Sequence, residues 1–134
     1  MKGQRFREEH ILVCIPSLDH IKALLSIYRE VKNVVALTGD SSVQLLLEKE
    51  GIERVYTIEN DEKEFLFLET ISDVYIFETS LTMTCLFLDI LEDKLFSPIT
   101  VLTKNKAYPK QLYTLLGVKQ VVYSNSDNYG FLIK

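Results

Sequence analysis

The sequence predicts an α/β protein: a three-layer, Rossmann-like, doubly wound parallel sheet of six strands in the order 3-2-1-4-5-6. Three observations lead there. Short β-branched runs alternate along the whole chain with stretches of helical periodicity, the rhythm of strand–crossover–strand units. Two of the early runs, HILVCI and NVVALTG, are almost continuously apolar, as strands buried on both faces are. No linker-like, repeated or low-complexity stretch interrupts the 134 residues, so they read as one domain with enough chain for a full core. Right-handed crossovers are close to obligatory, and two βαβαβ halves then give that strand order.

The elements follow in turn. HILVCI, from His10, is the first strand, and Ser17 caps a helix whose apolar positions Leu18, Ile21, Leu24, Leu25, Tyr28 and Val31 keep the 3.6 period. NVVALTG, from Asn33, is the second strand; residues 40–42 offer caps for SSVQLLLEKE, and Gly51 ends that helix. ERVYTIEN is the third strand. Asp61 with Glu64 three residues on makes a capping-box-like start to a helix over EKEFLFLETI. DVYIFETS, from Asp73, is the fourth strand, and Thr79 or Ser80 caps a long helix running toward Phe96. Pro98 opens the fifth strand, ITVLTK. Pro109 suits the first turn of PKQLYTLLG, which Gly117 closes, and KQVVYS is the sixth strand. SNSDNYGFLIK reads as a cap and the first turns of one more helix.

Composition narrows the function. With 47% hydrophobic and 25% charged residues the chain is an ordinary globular protein, and a net charge of -4 argues against a nucleic-acid partner, which calls for a basic surface. Cys14 and Cys85 both lie in apolar runs and are expected to be buried, reduced thiols, which fits a reducing cytoplasm. MKGQRFREEH lacks the apolar core of an export signal, and every apolar run falls short of a membrane span.

Ligands of doubly wound sheets sit beyond the carboxyl ends of the central strands, so those ends hold the candidate residues. After the first strand a dinucleotide-binding fold carries three glycines, for a tight turn and close approach of a pyrophosphate. Here Ile15, Ser17 and His20 stand in those places and Pro16 removes an amide donor. Losing one charge-assisted hydrogen bond costs about 1.5–3 kcal/mol, so the usual pyrophosphate pose is disfavoured. Thr38 and Asp40 lie where a ribose-binding acid would stand, although Asp40 also suits a helix cap. Asn60 and Asp61 follow the third strand, Glu78 and Thr79 the fourth, and Lys104 the fifth. His10 and His20 have no metal-ligand spacing, and no G-x-S-x-G, C-x-x-C or P-loop occurs, so the sequence points away from an enzyme.

These segments together resemble the RCK domain, also called KTN or TrkA-N, the regulator of potassium channels and potassium transporters. HILVCIPS resembles the family's first strand and turn with the glycines replaced. IENDEKEFLFLETISDVYIFETS resembles its third-strand segment, with Glu59, Asn60 and Asp61 around the family's Gly-Asp pair and Asp73 opening the next strand. SPITVLTKN and LYTLLGVKQVVYS resemble the fifth strand, helix and sixth strand, with Gly117 on the helix-ending glycine. The resemblance implies a non-enzymatic domain at the cytoplasmic face of the membrane. Such domains form homodimers, often within a larger ring, and gate a channel or transporter subunit by rearrangement. It implies NAD or ATP as ligand, contacted near Ser17, Thr38, Asp61, Thr79 and Lys104. It also implies that residues 1–9 are a linker and that 124–134 begin a crossover helix. Two rivals compete. In a pseudo-receiver, a protein-interaction module, Glu78 would replace the phospho-acceptor aspartate, Thr103 would be the switch threonine and Ser124 would replace the lysine; receivers, however, have five strands, ordered 2-1-3-4-5. A dehydrogenase would need the pyrophosphate turn that is missing.

Overall fold

The structure, a computed structural model, describes residues 9–58, 67–92, 94–126 and 129. Strand β1 (Glu9–Ile15) is followed by a single 3-10 turn, Leu18–His20, and then by α1 (Ile21–Glu30). Next come β2 (Val34–Thr38), α2 (Ser41–Lys49), β3 (Arg54–Thr57) and β4 (Thr70–Phe77). The second half runs α3 (Leu81–Leu91), β5 (Ile99–Thr103), α4 (Lys110–Leu115) and β6 (Gln120–Tyr123). All five strand pairings are parallel, and the sheet order is β3-β2-β1-β4-β5-β6. This is the doubly wound order expected from the sequence, not the 2-1-3-4-5 order of a receiver.

The core lies on both faces of the sheet because the central strands carry apolar side chains at successive positions. From β1, Ile11, Val13 and Ile15 face Ala23, Leu24 and Ile27 of α1 and Val43 and Leu47 of α2. Leu12 and Cys14 point the other way, to Phe87, Leu88 and Leu91 of α3 and Tyr113 of α4. Helices α1 and α2 therefore cover one face and α3 and α4 the other. Cys14 is fully buried, and desolvation pushes its thiol far up. Cys85 is only half-buried, which corrects the expectation of two core thiols: it lines a groove with Leu115 and Leu116 at the end of α4. No helix among the described residues is long and apolar enough to cross a membrane.

Local chemistry places the boundaries. Ser17 accepts from the amide of Asp19 at 3.3 Å, so it caps the short 3-10 turn and not α1 itself. Asp40 caps α2 by accepting from Ser42 N at 2.8 Å, and Ser80 caps α3 by accepting from Met83 N at 3.1 Å. Gly51 and Gly117 end α2 and α4 with φ of 98° and 94°, the left-handed region.

Two boundaries differ from expectation. Strand β4 begins at Thr70, three residues before Asp73, because Thr70 and Ile71 pair with Glu9 and His10 of β1. Ser72 is an extra residue at the register shift between His10 and Ile11, and a bulge of this kind hides a strand start from pattern reading. The ladder overrides the helical periodicity of EKEFLFLETI at its end, and residues 67–69 are not helical either; the rest of that expected helix, residues 62–66, lies outside the described residues. Helix α3 stops at Leu91 and does not reach Phe96. The ammonium of Lys94 bonds the Ile90 carbonyl at 3.1 Å, and Pro98 favours extended chain just before it. Residues 124–126 make a turn, Ser126 N bonding Ser124 Oγ at 3.2 Å, and of the expected final helix beyond them only Tyr129 is described.

Candidate functional site

The topological switch point lies between the carboxyl ends of β1 and β4, and the chain's own side chains occupy it. The turn after Ile15 has no residue in the left-handed region; Ser17 is fully extended (φ −157°, ψ 172°) and spends its hydroxyl on Asp19. From the α1 side, the His20 ring lies almost flat on Phe77, the last residue of β4, with centroids 5.2 Å apart and 14° between planes. Tyr129 packs on the same Phe77 edge-on, centroids 5.3 Å apart, while its amide bonds Ser26 Oγ of α1 at 2.9 Å. From the opposite side, Met83 of α3 reaches the turn after β2. Its terminal methyl is 3.3 Å from where a Cβ on Gly39 would stand.

Thr38 and Asp40 are likewise committed. Thr38 is fully buried and its Oγ1 accepts from Asp40 N at 3.3 Å, while Asp40 caps α2. Both expected ribose contacts thus serve the β2–α2 turn. Asn60 and Asp61 lie outside the described residues.

The structure does bring together Glu78, Thr79 and Lys104. With Ser80, Thr103 and Asn105 they line a cavity of about 380 Å³ above the ends of β4 and β5. Glu78, the first residue after β4, anchors its wall. One carboxylate oxygen accepts from the Thr103 hydroxyl and the other from the Tyr113 phenol of α4. Thr103 Oγ1 in turn accepts from Asn105 N at 2.9 Å while it donates its own proton to Glu78. Asn105 Oδ1 closes the turn by accepting from Ala107 N at 2.9 Å. Burial, and then the hydrogen bond to Glu78, push the Tyr113 phenol far above its ordinary value, so it stays a donor throughout the physiological range.

This arrangement clamps three elements and is poor in chemistry. Both oxygens of Glu78 accept a hydroxyl proton, no histidine stands beside Thr103, and Ser80 is a helix cap. The histidines are elsewhere: His20 is stacked on Phe77, and buried His10 sits at the amino end of β1 with no hydrogen-bond partner on either ring nitrogen among the described residues. No cluster of three metal-ligating side chains occurs among the described residues. Sequence reasoning missed Tyr113, and only the apolar spacing of PKQLYTLLG, which makes it inward-facing, hinted at it. His20 was legible as a departure from the glycine pattern, though its perch on Phe77 was not.

The six-stranded order and the switch-point crevice define the class: a Rossmann-like α/β domain whose crevice is filled from within. No protein-family model matches the sequence, and no curated protein matches it.

Proposed function

We propose that this chain is a non-enzymatic regulatory domain that controls a potassium channel or potassium transporter through rearrangement between copies, without a dinucleotide across its first turn. Two things support the regulatory half: the resemblance running from residue 10 to the end of the chain, and a sheet order in keeping with it. The observation that carries the second half is the pair of side chains in the crevice, His20 on Phe77 and Met83 against Gly39. A dinucleotide would have to displace both and would meet Pro16 where it needs an amide donor. A scaffold kept while its crevice is closed serves contacts between proteins, not turnover. Its membrane partner would be the channel or transporter subunit, at the inner face of the membrane.

The test has two arms. Calorimetric titration of NADH, ATP and ADP should show no binding tighter than about 1 mM; sub-micromolar affinity for any of them overturns the closed-crevice half. Potassium uptake by cells with and without the chain addresses the other half: it should change, and identical uptake overturns the regulatory reading.

A further inference from the structure

The charges of this chain are sorted along it. Between Lys94 and Ser126 stand five lysines and no aspartate or glutamate, whereas all but one of the 19 acidic residues precede that stretch. The net charge of -4 therefore hides a cationic part. The fold gathers that part at one end of the sheet, because it builds β5, α4 and the edge strand β6. Charge asymmetry of this kind points to an anionic partner for the cationic part.

The apolar side chains beside the lysines say which anion. On and just after α4, Leu112, Leu115 and Leu116 are exposed, and Phe96, which precedes β5, lines one groove with Leu115 and Leu116; Leu115 is 83% exposed and Phe96 95%. Exposed lysines bracket them, Lys106 and Lys110 at the start of α4 and Lys119 beyond its end. Tyr123, exposed at the end of β6, carries the Lys106 ammonium 5.7 Å from its ring centroid. Bulky apolar groups ringed by lysines and a tyrosine suit a lipid–water boundary. The apolar groups enter the acyl region, and the lysine stems lie along it while their ammonium groups stay level with the phosphates. A nucleic-acid backbone would use the lysines and leave the leucines and Phe96 in water. Two carboxylates line the same groove from α3, Asp89 and Glu92, and these oppose the attraction.

We propose that the α4 end of this domain docks directly on an anionic lipid surface. The proposal goes beyond the regulatory reading and is tested apart from it, because lipid vesicles hold no channel or transporter subunit. The test is co-sedimentation of the full chain with sucrose-loaded vesicles. At low salt the chain should bind vesicles of phosphatidylcholine and phosphatidylserine in about a 3:1 ratio, and not phosphatidylcholine alone; about 0.5 M salt should release it. Lys106→Gln and Lys110→Gln should each weaken binding about fivefold. Leu115→Ser should weaken it on the same vesicles, and Glu92→Gln should strengthen it. All four positions are exposed, so the core stays intact, and circular dichroism checks the fold. Absence of binding to the serine-lipid vesicles, or equal binding to both kinds, overturns the proposal. Binding indifferent to the lysine variants and to Leu115→Ser overturns this face as the contact. Dependence on the lysines without dependence on Leu115 overturns the entry of the apolar groups. A single-stranded oligonucleotide held more tightly than the vesicles overturns lipid as the partner. Sedimentation velocity without lipid that reveals an oligomer dissociated by Leu115→Ser does so too, because a second copy then covers the face.

Discussion

Glu78 ties the carboxyl edge of the sheet together. Its two oxygens take hydroxyl protons from β5 and from α4, so one side chain joins β4 to the next strand and to the helix after it. A hydrogen bond to a charged acceptor contributes about 1.5–3 kcal/mol, and Tyr113→Phe removes one while keeping the ring that fills the core. Urea unfolding at pH 7 should therefore show Tyr113→Phe less stable by about 2 kcal/mol. The pH dependence carries a sign. Folding raises the phenol's pKa above its free value of 10.0, so the native state holds this proton more tightly than the unfolded chain does. That contribution is complete below pH 10 and is lost as the pH climbs further, so the two proteins should converge in stability under alkaline conditions. No gap at pH 7 would mean that Tyr113 acts through packing alone.

At the level of elements, turn chemistry sets most of the boundaries. Asp40 and Ser80 cap the helices the sequence assigned to them, and Gly51 and Gly117 end theirs, because capping depends on side chains within a few residues. Gly117 gives a clean measurement. A Cβ built there finds nothing within 4 Å, so the whole penalty of Gly117→Ala is the left-handed backbone at φ 94°. Thermal unfolding should show a loss of about 1 kcal/mol with no change in fold; an unchanged midpoint would mean that the α4–β6 turn relaxes to negative φ. The start of β4 was illegible for the opposite reason. Thr70 and Ile71 extend because β1 pairs with them, and no residue near them in sequence announces a partner some 60 positions away.

Across the whole molecule, burial is uneven. Strand β2 is buried throughout and β1 everywhere beyond its first residue, whereas the edge strands β3 and β6 are half-buried or exposed at every position. Local opening takes the least buried elements first. Amide exchange monitored by mass spectrometry should accordingly protect β1 and β2 longest and release β3 and β6 first. Equal protection of β6 and β1 in dilute solution would contradict this order. The same unevenness explains the outer layer: α3 and α4 bury Phe87, Leu88, Leu91 and Tyr113 against the sheet, yet leave Leu112 and Leu115 in solvent.

What the sequence determined by itself was the six-strand parallel architecture, its order, most helix caps and the absence of a glycine turn after β1. Those follow from apolar periodicity, β-branched runs and turn residues, which act over one or two turns of chain, together with the handedness of crossovers. Only the tertiary structure decided what became of the space above the sheet. Phe77 meets His20 and Tyr129, Gly39 meets Met83, and Glu78 meets Tyr113 because crossovers carry distant stretches to the same edge. Such meetings depend on how layers stack, and stacking leaves no local mark on the chain.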